Sequence, residues 1–244
     1  MRLTRSFVDR PLRAGDTLVL PDAAAAHLVR VLRLQPGDAC VLFNGDGHDY
    51  DARLVSVGKR EVRAEVVAAR RTDNESPLAI ILVQGIARGE KMDWILQKAT
   101  ELGVAAIVPV VSERSEVRLD GERADKRTTH WREVVVAACG QSGRATVPPV
   151  SAPQPLATAV ARLPAGARRL LLDPQAAHGL DAGVAAADGI VLAIGPEGGW
   201  SARDLATLRD HGFAGLRLGP RVLRTETAGL AAIAALQALH GDLG

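Results

Sequence analysis

The chain has 244 residues, of which 47% are hydrophobic and only 3% aromatic, with a formal charge of +2 and an isoelectric point near 8.8. That is ample apolar material for a core carried by Ala, Leu and Val, and the mild basicity permits a nucleic-acid partner without requiring one. The charged opening MRLTRSFVDRP lacks an apolar run of signal-peptide type, and no stretch approaches membrane-spanning length, so a soluble, cytoplasmic protein is expected.

Short β-favouring segments dominate the first 71 residues: 17–20, 39–43, 50–57 and 62–68, separated by the turn signals Pro36-Gly37-Asp38 and Asn44-Gly45-Asp46-Gly47. One helix is expected among them, over 22–34 with Asp22 as N-cap. Arg2, Arg5 and Arg10 form a basic arm. Arg30 and Arg33 lie one helical turn apart, where they suit either phosphates or plain solvation. The polar stretch 70–77 reads as a linker, which sets a boundary between a domain over 1–72 and one over 73–244. Beyond it the rhythm becomes strand 78–84, helix 91–102, strand 105–111, helix 124–138, a Pro-rich connection over 148–155 and strand 168–172. Strands alternating with helices predict an α/β domain with a mostly parallel sheet.

The stretch 190–229 contains one device twice. An apolar run, 190–194 and then 216–218, breaks into Gly-Pro and a helix start follows. Ser201 with Asp204 announces the first helix in capping-box spacing, and Thr225 announces the second. In an open α/β sheet such loops lie at the carboxyl ends of strands, where ligands bind. Ile194, Leu218, Val222 and Leu223 suit the apolar walls of a ligand pocket, and each alone also suits a core. Other chemistries find no support. There is no G-x-G-x-x-G, GIARGEKM (85–92) has the wrong spacing for a P-loop, and Cys40, Cys139 and six scattered histidines offer no metal-ligand pattern, so no metal is expected.

GPEGG followed by LGPRVLRTETA resembles the C-terminal motifs of the SPOUT superfamily of S-adenosylmethionine-dependent RNA methyltransferases, and most closely the ribosomal RNA small subunit methyltransferase E family. The likeness extends to GEKMDWILQKATELGV (89–104), SERS (112–115), QSGR (141–144) and HLVRVLR (27–33), nearly the whole chain. Gly140 departs from the family pattern, which commonly has Glu there, and is given no role. The resemblance implies a C-terminal trefoil knot, an N-terminal PUA-like β-barrel that grips RNA, a homodimer, and methylation of N3 of a uridine in 16S rRNA of the small ribosomal subunit. Methylation of another rRNA atom, a ribose 2′-hydroxyl or a guanine nitrogen, and a non-catalytic RNA-binding assembly factor are the alternatives.

The resemblance also implies that S-adenosylmethionine sits among Ile194, Gly195, Gly199, Leu218, Gly219, Val222 and Leu223, the glycines giving close backbone approach. Arg224 is the expected stabiliser of a uracil anion and Glu197 the expected proton acceptor, with unassisted water as its competitor. Glu226, in a first helical turn, reads as offsetting the helix dipole. Arg5, Arg30, Arg33, Arg144 and Arg221 are the expected RNA contacts, Arg144 raised to that role by the resemblance, and Arg114 is a weaker candidate.

Overall fold

The computed structural model describes residues 4–117, 121–180 and 189–244; Arg2 of the expected basic arm lies outside them. The chain divides into two compact units, one of Met1–Glu75 with Val136–Val147, the other of Ser76–Val135 with Pro148–Gly244. The boundary expected at 72/73 therefore falls three residues later, and a distant segment joins the first unit. That segment is held by hydrogen bonding: the Asn74 side chain donates to the Gly143 carbonyl at 2.9 Å, and Gly45 and Asp46 bridge to Thr146.

In the first unit, β1 (Arg5–Phe7), β2 (Thr17–Val19), β3 (Ala39–Phe43), β4 (His48–Val57) and β5 (Val62–Arg71) form one sheet in the order β1-β3-β4-β5-β2. The barrel implied by the resemblance is, in its hydrogen bonding among the described residues, a five-stranded sheet with β1 and β2 at its edges. β5 shows why it pairs this way round. Val62, Ala64 and Val66 are buried while Arg63, Glu65 and Val67 face out, the period-two pattern of a half-buried strand. Those residues join Leu18, Leu42 and Leu54 in the unit's core. β1 was not expected; it pairs parallel to β3, so part of the basic arm is a strand.

The helix expected over 22–34 is shorter and irregular. Only α1 (Asp22–Ala25) is α-helical, and Ala26–Val31 is π-helical. The Leu32 N–H reaches back to the His27 carbonyl at 3.1 Å, and Arg33 then turns left-handed at φ 59°, which ends the helix before Leu34.

The second unit alternates as predicted: β6 (Ile80–Gly85), α2 (Glu90–Glu101), β7 (Ala106–Val111), α3 (Gly121–Ser142), β8 (Gln154–Pro155), α4 (Leu156–Val160), β9 (Arg168–Leu172), β10 (Ile190–Ile194), α5 (Ala202–Asp210), β11 (Ala214–Leu216) and α6 (Thr225–His240). The sheet order is β11-β9-β10-β6-β7-β8 and every pairing is parallel. All five residues of β10 are buried, which is why it reads as an unbroken apolar run. α3 is longer than the expected 124–138, and its last residues, from Val136, belong to the first unit. The strand expected at 216–218 is instead β11, ending at Leu216, because its partner β9 ends at Leu172. Thr225 is not a cap: Arg224 is the N-cap of α6, and Thr225 is its first helical residue. No described helix is long and apolar enough to cross a membrane.

α5 has the predicted capping box. The Asp204 N–H donates to Ser201 Oγ at 3.0 Å and the Ser201 N–H donates to Asp204 Oδ2 at 3.0 Å. Asp204→Ala should lower unfolding free energy by about 1 kcal/mol, the usual value of such a cap. The expected readout is a lower denaturant midpoint at unchanged m-value; an unmoved midpoint would remove the box from the fold's stabilising contacts.

Candidate active site

The carboxyl ends of β9, β10 and β11 open onto a cavity of about 460 Å³ in the second unit. Its size lies in the range of small-molecule sites. Both halves of the doubled loop line it. Ile194, Gly195, Glu197 and Gly199 come from the loop after β10, and Leu218, Gly219, Arg221, Val222, Leu223 and Arg224 from the segment before α6. All seven residues expected around the cofactor and both expected catalytic residues thus share one pocket.

A buried polar node brings the loops together. Thr225 Oγ1 donates to the Gly195 carbonyl at 2.6 Å and accepts from Gln84 Nε2 at 3.0 Å. Gln84, at the end of β6, is fully buried. Arg114 anchors the far side, its Nη1 donating to the Gly198 carbonyl at 3.0 Å. Gly199 and Gly219 have left-handed backbones, φ 66° and 71°, and nothing lies within 4 Å of where a Cβ would stand. At these two positions the chain is bare toward open space, as close backbone approach to a ligand requires. Ile194 is buried, Leu218 and Leu223 are half-buried, and Val222 is exposed at 80%, an apolar side chain on the wall of an open cavity.

The charged groups are more tightly arranged than the sequence suggested. Glu197 Oε1 accepts from the Arg88 backbone N–H at 3.1 Å and from Lys91 Nζ at 3.3 Å. Burial pushes its carboxyl up, but those hydrogen bonds outweigh burial and hold it below the usual carboxylate range. Lys91 also stands 4.0 Å from Glu226 Oε2. Lys91 and Glu226 both line the cavity. Lys91 was overlooked because helix α2 begins about a hundred residues before the glycine loops. Glu226 lies in the first turn of α6, as expected of a residue that offsets the helix dipole, and its side chain also reaches the cavity.

The second unit corresponds to a known family. The RNA methyltransferase domain model matches residues 74–237, and the RNA methyltransferase PUA domain model matches 20–67. Ribosomal RNA small subunit methyltransferase E of Bacillus subtilis is 30% identical over 98% of this chain and 100% of its own length. Its counterpart in Mycobacterium tuberculosis is 33% identical over 96% and 90%. The chain belongs to the ribosomal RNA small subunit methyltransferase E family. Among solved structures, the family's Neisseria gonorrhoeae protein, crystallised with S-adenosylmethionine, matches with TM-score 0.94 at 44% identity over 100% of both chains. A Legionella pneumophila methyltransferase, its structure solved in complex with the same molecule, matches with TM-score 0.92 at 36% identity, again over 100% of both chains.

Within this family frame the expected RNA contacts separate. Arg221 lines the cavity, whereas Arg5, Arg30, Arg33 and Arg144 belong to the first unit. Arg30 and Arg33 are exposed. Arg5 and Arg144 require correction: their side chains are 6% and 5% exposed and committed to carboxylates. Arg5 pairs with Asp49 through Nη1 and donates from Nη2 to the Arg144 carbonyl at 2.8 Å. Arg144 grips Glu75 with two nitrogens, Nε at 3.1 Å from Oε1. Buried and paired in this way, both guanidinium groups are turned to partners within the first unit.

Removing Arg144 should therefore act on folding first. Arg144→Ala is expected to lower stability by about 2–3 kcal/mol, less than for a fully buried pair because Glu75 is 34% exposed. Thermal or denaturant unfolding measures this. Unchanged stability with weakened RNA binding would return Arg144 to the RNA surface.

Proposed function

We propose that this chain transfers a methyl group from S-adenosylmethionine to N3 of a uridine in 16S rRNA of the small ribosomal subunit. The observation that carries this reading is the single cavity lined by both glycine loops, with an apolar wall and two bare glycine backbones, in a chain whose family relatives are crystallised with S-adenosylmethionine. Ile194, Leu218, Val222 and Leu223 would flank the adenine, and the backbone at Gly195, Gly199 and Gly219 would approach the ligand closely.

When bound, S-adenosylmethionine supplies a methyl already activated by a sulfonium. The protein's task is then to select the uracil, take up the N3 proton and stabilise the anion. Arg224, exposed on the cavity wall, carries paired donors matched to planar oxygen acceptors, and the developing charge spreads over uracil O2 and O4. Arg221, on the same segment, is suited to a flanking phosphate. Glu197, with its proton affinity lowered and one oxygen already accepting two hydrogen bonds, is better suited to holding the loop to α2 than to accepting a proton.

Two coarser features accompany this proposal. The chain inserts β10 between β9 and β6 and brings the loops after β10 and β11 together, a course compatible with the trefoil knot of the family. α6 leaves Leu230, Ala231 and Ala234 only half-buried and Leu239 exposed, an apolar surface suited to a second copy of the chain. In that arrangement the first unit grips RNA through exposed residues such as Arg30 and Arg33.

Mass spectrometry of nucleosides from small-subunit rRNA incubated with the protein and S-adenosylmethionine tests the reaction. The expected product is N3-methyluridine; methyl on a ribose or on guanine, or none, would refute the assignment. In single-turnover reactions Arg224→Lys should slow transfer about a hundredfold, as for loss of one preorganised donor, while leaving cofactor affinity nearly unchanged. A wild-type rate would take Arg224 away from the anion.

A further inference from the structure

Resting on that reading, we propose that the carboxylate of Glu226 is the group that accepts the N3 proton of the target uridine. Glu226 belongs to the first turn of α6 and lines the cavity two residues beyond Arg224. Its side chain is 21% exposed, and its inner oxygen, Oε2, accepts no hydrogen bond among the described residues. A partly exposed carboxylate on the wall of a ligand pocket, with no hydrogen bond committing it to the protein among the described residues, is placed to accept an N–H from a bound ligand. Uracil N3–H is such a donor, and its O2 and O4 flank the nitrogen where the guanidinium of Arg224 reaches the same cavity.

The surrounding groups favour Glu226 over Glu197. Glu197 already accepts from Arg88 and Lys91 through Oε1 and serves as a brace between its loop and α2. Among the described residues Glu226 is paired with the Lys91 ammonium alone, 4.0 Å away and beyond hydrogen-bonding distance. Its backbone is fixed: the preceding residue, Thr225, is hydrogen-bonded to both Gly195 and Gln84. A general base must come within hydrogen-bond reach of the proton it takes, and the start of α6 from which Glu226 projects is held.

The step balances without another reactant. The N3–H proton passes to Glu226, the N3 electron pair forms the N–CH₃ bond as the S–CH₃ bond breaks, and sulfur leaves as a neutral thioether. Glu226 then returns its proton to solvent. The other charged groups that line the cavity are Lys91 from α2, Asp173 after β9, Glu197 from the loop after β10, and Arg217, Arg221 and Arg224 from the segment before α6.

Glu226→Gln preserves shape and removes the base. Three readouts are needed: S-adenosylmethionine affinity by calorimetry, single-turnover methylation of small-subunit rRNA, and the pH dependence of that rate. The expected result is unchanged cofactor affinity, a rate at neutral pH lower by about a hundredfold or more, and partial recovery as rising pH ionises the uracil itself. Glu197→Gln should cost less than tenfold in the same assay. A near wild-type rate for Glu226→Gln overturns the proposal, as does a loss that accompanies lost cofactor binding and does not recover at high pH. Wild-type protein that methylates an atom other than uridine N3 overturns the functional reading, and the proposal with it.

Discussion

The Thr225 hydroxyl ties together three pieces of chain that are distant in sequence. It joins the first residue of α6 to the carbonyl just after β10, and both to the buried amide of Gln84 near the end of β6. Each hydrogen bond contributes only about 1 kcal/mol net, but leaving such a buried group unpaired costs about 1–3 kcal/mol, so the node tolerates no displacement. The other end of α6 is fixed in the same way. Gln237 Oε1 accepts from Ser76 at 2.6 Å and its Nε2 donates to the Leu102 carbonyl at 3.2 Å. Held at both ends, α6 fixes the segment that precedes it, and that segment is half of the pocket.

Placed by this framework, the pocket carries charges of both signs, with Glu197 and Glu226 beside Lys91, Arg221 and Arg224. The arrangement suits a reaction in which a cationic donor meets a substrate that becomes anionic. A guanidinium on the wall of such a pocket stabilises negative charge that develops on a bound substrate. The loop that bears Glu197 is braced on two sides, by Arg114 at the Gly198 carbonyl and by Arg88 and Lys91 at Glu197, so these charges are preorganised.

Much of the second unit was legible in the sequence because its signals are local. β10 is an unbroken apolar run, Ser201 and Asp204 announce α5, and the doubled loop stands out by its glycines and prolines. What escaped was set by distant contacts. Thr225 resembles a cap, yet its hydroxyl is bonded to Gly195 and Gln84. Arg5 and Arg144 look like surface cations, but Asp49 and Glu75, 44 and 69 residues away, bury them. Lys91 lies in the stretch 89–104 that shares the family likeness, but its place beside Glu197 depends on a contact across about a hundred residues. The helix over 22–34 failed because nothing in HLVRVLR marks a shift to π-helical bonding or the left-handed turn at Arg33.

The claim on which this account turns is that the two loops form one cofactor site only because the Thr225 node holds them. Thr225→Val keeps the side chain's shape and deletes the hydroxyl, leaving the Gly195 carbonyl and one Gln84 N–H unpaired. Isothermal calorimetry of S-adenosylmethionine binding to the folded variant tests the claim directly. The account predicts affinity weaker than wild type by about tenfold or more, the equivalent of one lost buried hydrogen bond transmitted to the pocket. Wild-type affinity in a folded Thr225→Val protein would contradict it.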